Sequence, residues 1–436
     1  MNDGNTLPRL LARNAAQWPH RPAWRHKYLG IWQTQTWSAF ARRCNDIARG
    51  LAAQGFGRGD RLAVLGDNRP DLYAALLAAQ TLGGIGVPLD PEMESARLTA
   101  VLEDARVSIA VADTVEQADR LRSLADALPS PCRVFCADTG GFQRHEGWDL
   151  ASLDTLASAG QALAQTRQKT ERETETESRT PPPPGPIPQA EGVSLNSNSH
   201  SHPPPNPHPN PPAPHDHALL LYSADPLSHP LALSHVQLLT AAEAIATADP
   251  VRPTDEALSY LPMPTYEDAM YSLTLGLLGG FACNCPEAPD SVLRDLREIG
   301  PTILFAPPAA CTALAQVVAA KADAVTGFKR RCFGFFQHLA LRAETLREQG
   351  QPIPLGLAIG TRIGELVTYA PVRDQLGLRR ARWVHANAPL PPNTARLLRA
   401  IGVSLRPATA HAAEPTAAEQ TAEPTPAQQA PETLHA

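Results

Sequence analysis

The sequence predicts an α/β protein with two sheet-bearing subdomains, and three observations carry that expectation. Short apolar runs alternate with helical stretches over residues 5–164 and again over 218–406. Alternation at this spacing builds parallel sheets with helices on their faces. Hydrophobic residues make up 43% of the 436, enough for a substantial core and for more than one unit. Between the two alternating parts, residues 165–217 break the pattern.

In the first part the run RLAVL at 61–65 reads as a strand. A helix follows over 70–82, where Pro70 suits the first turn because an N–H there has no intrahelical partner. Residues 85–89 form the next strand. The helix over 94–105 places Leu98, Val101 and Leu102 on one face. A strand at 107–112, a helix at 115–128 and a strand at 133–136 complete the unit.

Residues 165–217 open with the charged run RQKTERETETESRT and continue into PPPPGPIP and HSHPPPNPHPNPPAPHDH. Proline cannot donate to a ladder and forces its predecessor out of the helical region. With few apolar side chains to offset its ordering entropy, the segment reads as a disordered linker, partly polyproline II. Prolines between His200, His202, His208, His215 and His217 deny them a fixed metal geometry.

In the second part strands are expected at 217–222, 257–261, 302–305 and 382–385, with helices at 234–248, 291–299 and 392–401. Ser234 reads as a helix cap and His235 as the first helical residue. Their adjacency is not a catalytic dyad, because helical neighbours point about 100° apart. Glu267 and Asp268 read as helix-start acids. The run 271–278 reads as buried core in preference to the lining of an acyl pocket. Residues 407–436 are low in complexity and expected to be a disordered tail.

A net charge of −6, with one short basic run at 329–331, argues against nucleic acid as a partner. Seven scattered cysteines without paired zinc-ligand spacing fit reduced thiols in a cytoplasmic protein. No signal peptide or transmembrane segment is expected, and contact with a membrane at its periphery stays open. No G-x-S-x-G or other nucleophile constellation appears, so no catalytic residue and no metal ligand is assigned.

Three stretches carry a resemblance. Residues 55–91 read GFGRGDRLAVLGDNRPDLYAALLAAQTLGGIGVPLDP. The Gly55-x-Gly57 pair precedes its strand, so it is a turn and not a dinucleotide fingerprint. Residues 257–309 (ALSYLPMPTYEDAMYSLTLGLLGGFACNCPEAPDSVLRDLREIGPTILFAPPA) form the second, and 329–342 (KRRCFGFFQHLALR) with 371–405 the third. Together they resemble the AMP-forming acyl-CoA synthetases of the adenylate-forming superfamily, and the third is similar to the long-chain fatty acid subgroup.

The resemblance implies ATP, magnesium and CoA, and a phosphate loop reading roughly Thr-Ser-Gly-Thr-Thr-Gly-x-Pro-Lys-Gly. Its glycines let backbone N–H groups close on phosphates, and its hydroxyls and lysine add charge-assisted bonds. Here only a remnant stands: Tyr222, Ser223 and Pro230, with Leu231 where the lysine would be, Asp225 in place of a donor, and Pro226 without an N–H. One well-placed donor is worth roughly 3 kcal/mol in comparable anion holes. Several are missing, so no cofactor is expected to bind tightly. The adenine-side loop Ser-Gly-Gly-Ala-Pro-Leu keeps its second half as Ala388, Pro389 and Leu390. Glu414 is displaced from the magnesium-holding position, and that role is not carried onto it.

The fold implied is the two sheet-bearing subdomains of the adenylate-forming N-terminal domain, lacking the barrel and the C-terminal domain, which would leave a face for a protein partner. The function expected is a degenerate, long-chain acyl-CoA synthetase-like protein, inactive alone, acting as a scaffold for a fatty acyl ligand or a protein. Two alternatives stay open: a fatty acid–CoA ligase with an atypical ATP grip and a C-terminal domain in trans, or a decayed gene product.

Overall fold

The computed structural model describes residues 5–126, 128–139, 151–178, 211–223, 229–324, 327–386 and 388–407. The chain opens with α1 (Leu7–Gln17), an antiparallel hairpin of β1 (Pro22–Tyr28) and β2 (Ile31–Thr36), and α2 (Trp37–Ala53). Next come β3 (Arg61–Leu65), α3 (Pro70–Thr81), β4 (Ile85–Leu89), α4 (Ser95–Asp104), β5 (Val107–Ala112), α5 (Val115–Ala125), β6 (Arg133–Cys136), β7 (Ala151–Ser152) and α6 (Leu153–Ser178). From residue 217 follow β8 (His217–Leu221), β9 (Leu231–Ser234), α7 (His235–Ala248), β10 (Glu256–Leu258), α8 (Tyr266–Asp268), α9 (Leu275–Gly279), β11 (Ala282–Cys285), α10 (Val292–Ile299) and β12 (Ile303–Phe305). The last stretch holds α11 (Pro308–Ala324), α12 (Gly327–Glu348), α13 (Leu355–Gly364), α14 (Ala370–Gln375), β13 (Trp383–Ala386), α15 (Pro392–Ala400) and β14 (Leu405–Pro407).

The first sheet has the order β7-β6-β5-β3-β4-β8-β9 and is parallel except for the β8–β9 pair. Its central strands are apolar on both faces: Leu62, Ala63, Val64 and Leu65 are all buried. That is the composition of a parallel sheet covered on both sides. A second sheet has the order β10-β11-β1-β2, and a third, wholly parallel, the order β12-β13-β14. The second and third abut, because the Thr302 N–H donates to the Glu256 carbonyl at 2.9 Å and the Glu256 N–H donates to Thr302 Oγ1 at 2.9 Å. Among the described residues no sheet closes into a barrel, in agreement with the α/β expectation.

The strands expected at 61–65, 85–89, 107–112 and 133–136 stand where the apolar runs placed them. Strands β1, β2, β7, β9, β11 and β14 were not foreseen. β1 carries Arg25, His26 and Lys27, and its inward residues are set by pairing with β11 from far along the chain. The sheets also cross the expected division of the chain: β8 and β9 complete the first sheet, while β1 and β2 join the second. The charged run after residue 164 begins inside α6, which extends to Ser178. Residues 179–210, most of the expected linker, and 408–436, nearly all of the expected tail, lie outside the described residues. The end of the linker packs on the first unit: Asp216 pairs with Arg58 at 2.6 Å, and Arg58 also donates to the Pro211 carbonyl.

Helix α3 positions the centre. It is buried from Leu72 to Gln80, lying between α2 and the strands β3 and β4. A helix buried on nearly every side, with its few polar groups bonded, belongs between layers. Helix α9 ends on Gly280 at φ 66°, where a Cβ would lie 2.1 Å from the Trp18 ring. Glycine serves there both the left-handed cap and the close approach.

Candidate functional site

The phosphate-loop position lies between β8 and β9. Pairing of Gly86 with Leu219, and a bond from Gln80 Nε2 to the Ala218 carbonyl at 3.0 Å, fix β8 beside β4. Tyr222 leaves β8 buried, and its hydroxyl donates to Asp104 Oδ2 at 2.7 Å. Burial first, and then this carboxylate, push the phenol well above its ordinary range. The hydroxyl is thus spent on anchoring α4. Ser223 is exposed and Pro230 half-buried at the start of β9. Residues 224–228, with Asp225 and Pro226, lie outside the described residues. Across the whole connection from Tyr222 to Leu233 the sequence holds no glycine and no lysine.

Beyond β9 the expected helix cap is present. Ser234 Oγ accepts from the Gln237 N–H, and Gln237 Oε1 accepts from the Ser234 N–H, a reciprocal capping box. His235 is buried, its Nδ1 accepts from the Leu7 N–H at 3.4 Å, and burial lowers its pKa to about 4. A neutral imidazole tying α1 to α7 is a structural group, as its place beside Ser234 suggested.

The adenine-side position follows β13 in the third sheet. His385 is buried, and its Nδ1 lies 3.1 Å from the Tyr271 hydroxyl. Tyr271 stacks on Phe305 with ring centroids 3.6 Å apart, and Trp383 meets Phe305 edge-on at 5.4 Å. Burial, the main cause, lowers the His385 pKa. Asn387 lies outside the described residues; Ala388 is half-buried and Pro389 exposed ahead of α15. Four rings therefore occupy the space between β12, β13 and the π-helical turn Ala269–Thr274. Leu273, Leu275 and Leu277 are buried with Tyr271 in the main core, so the run 271–278 is core, as expected. The two remnant loops thus sit on different sheets, Tyr222, Ser223 and Pro230 on the first and Ala388 and Pro389 on the third.

Sequence reasoning missed a buried polar cluster where the first sheet meets the second. Asn68, just beyond β3, donates through its side-chain amide to Ser259 Oγ, the Leu261 carbonyl and Asp268 Oδ1 at 2.9–3.1 Å. The Tyr73 hydroxyl shares its one proton between the two Asp268 oxygens, each at 2.8 Å, and lies 3.0 Å from Ser259 Oγ. Tyr73 stacks on Trp24 at 4.2 Å, which brings β1 into the same junction. Asp268 is 2% exposed, and burial raises its pKa to about 7 despite the hydrogen bonds that pull it down. Asp268 is indeed at the start of a helix, capped by Thr265, but its carboxyl turns inward and not to the helix terminus. A carboxyl this enclosed and this fully bonded holds elements together; it has no open path to a substrate proton.

No set of three or more His, Cys, Asp or Glu among the described residues is placed to hold a metal ion. Among the described residues at the two loop positions, Tyr222 is bonded to Asp104 and His385 to Tyr271, and this set does not fit a magnesium ion. Among the described residues no helix is long and apolar enough to cross a membrane.

Layered sheets with these loop positions define the fold of the adenylate-forming N-terminal domain. The chain belongs to the AMP-binding enzyme family, whose model matches residues 11–409. A feruloyl-CoA synthase of Amycolatopsis is 34% identical over 113 residues, 26% of this chain and 22% of that protein. Among solved structures, VinN in complex with L-aspartate has a TM-score of 0.58 at 18% identity, covering 93% of this chain and 75% of the other. The anthranilate CoA ligase AuaEII in complex with anthranoyl-AMP has a TM-score of 0.61 at 13% identity, covering 93% and 60%. The chain therefore matches about a fifth of that curated synthase's length, and the two solved structures are alike in fold.

Proposed function

We propose that this chain is a degenerate long-chain acyl-CoA synthetase-like protein that does not activate acyl groups with ATP by itself and serves as a scaffold for a fatty acyl ligand or a protein partner. The observation that carries the reading is the connection from Tyr222 to Leu233, which has neither the glycines nor the lysine that grip phosphates. Two features support it. Tyr222 is bound to Asp104, and the ring cluster of Tyr271, Phe305, Trp383 and His385 fills the end of the third sheet. The reading assigns the protein to the cytoplasm. ATP, magnesium and CoA belong to it through the family alone.

ATP–pyrophosphate exchange with a panel of medium- to long-chain fatty acids tests the reading. Exchange at the level of a protein-free blank, in a preparation that unfolds cooperatively, is the expected result. Exchange above the blank would mean that acyl-adenylate forms, and the alternative of a ligase with an atypical ATP grip, completed in trans, would replace the scaffold.

A further inference from the structure

We infer that the outer face of α13 and its π-helical continuation is a docking surface for an anionic lipid bilayer. The inference is independent of whether the chain retains catalysis. Leu355, Ile359, Ile363 and Leu366 follow one another at spacings of four, four and three residues, which aligns them on one face of a helix. They are 77%, 52%, 50% and 80% exposed, and Val367 beside them is 57% exposed. Aliphatic side chains this open, in an unbroken row, form a patch that a water-facing helix does not ordinarily carry.

The opposite face of the same helix explains why the row points outward. Cβ atoms at Gly360 and Gly364 would lie 2.8 Å from Leu339 and 2.9 Å from Phe336. Glycine at these two positions lets α13 lie close on α12, which leaves the aliphatic row on the far side.

Charge selects the occupant. The chain as a whole is net acidic at −6. Yet a cavity of about 280 Å³ beside the row is lined by Arg347, Arg362 and Arg399, with Thr361. Glu365 pairs with Arg373, and Glu344 pairs with both Arg347 at 3.1 Å and Arg399 at 4.0 Å, so with Arg362 the arginines outnumber the carboxylates among these groups. Arg362 is itself exposed between Ile359 and Ile363. An aliphatic face flanked by arginines, with its acids neutralised, suits the boundary between acyl chains and anionic headgroups.

Co-flotation of the full chain with vesicles decides the matter. Phosphatidylcholine vesicles containing phosphatidylglycerol should carry the protein, and pure phosphatidylcholine vesicles should carry about tenfold less or lower. A variant with both Ile363→Asp and Leu366→Asp should stay with the soluble fraction while melting at the wild-type temperature, since both side chains are exposed. Arg362→Glu should weaken binding by about fivefold or more, the share of one basic residue near a charged membrane. Equal recovery with both vesicle types, no recovery with either, or full binding by the double variant would overturn the proposal. So would a dimer that forms without vesicles and is abolished by the double variant, because a second copy would then be the occupant.

Discussion

Asn68 and Asp268 are 200 residues apart in the chain, and the amide of one donates to the carboxyl of the other at 3.1 Å. Asn68 stands just past β3 of the first sheet. Asp268 ends the first turn after β10 of the second. With Tyr73 and Ser259 they form the polar centre of the junction between the two sheets. A buried network of this kind rigidifies when complete and is costly when broken.

Asp268 gives the fold a pH dependence with a definite sign. Its folded pKa is about 7, against an ordinary 3.8. Between these values the folded chain keeps a proton on Asp268 that the unfolded chain has released, so this residue's contribution to stability falls as pH rises from about 4 to about 7 and levels off above. The loss is on the order of a few kcal/mol. Asp268→Asn should remove it. Urea unfolding at ~pH 5 and ~pH 8 should show the wild type weakening more than the variant across that interval. An unchanged difference in the variant would place the effect elsewhere.

Asn68→Ala should cost about 1–3 kcal/mol, because Asp268, Ser259 and the Leu261 carbonyl lose a donor they cannot recover from water. The asparagine also holds the Asp268 pKa down. Its removal should therefore raise that pKa and extend the fall in stability to higher pH. Denaturant titration at several pH values reads both effects. A loss below about half a kcal/mol would mean that the junction does not depend on this amide.

Lys27 and Asp295 form a buried ion pair at 2.9 Å, with side chains 3% and 0% exposed. Ser291 and the Glu287 N–H also bond Asp295, and Glu298 shares the ammonium at 2.5 Å. Lys27→Met should cost about 1–3 kcal/mol, since Asp295 loses its ammonium partner while keeping the Glu287 N–H at 3.0 Å and Arg294 at 3.5 Å. Adding Asp295→Leu should restore most of that loss. A double variant no more stable than Lys27→Met would show that the two residues act separately.

The parallel strands of the first sheet were legible because β3, β4 and β5 are continuous apolar runs. The cap at Ser234 was legible because it is a local bond with Gln237. What lay beyond reach was set by distant pairing. β1 mixes Trp24 with Arg25, His26 and Lys27, and only its neighbour β11 and the carboxylates of α10 show which side is buried. Asp268 looked like a surface acid because its local signal, Thr265 three residues before, is a helix cap. Its true partner is Asn68. Of the loop remnants, Tyr222 proved to be bound to Asp104, a residue of α4 that no local pattern connects to β8.

The central claim is that the connection after Tyr222 does not hold ATP. Isothermal titration of the folded full chain with MgATP tests it most directly. The account predicts no heat beyond dilution, because the sequence from Tyr222 to Leu233 supplies no glycine-lined anion cradle and no lysine. Saturable binding at micromolar affinity would contradict it and return the chain to the working ligases.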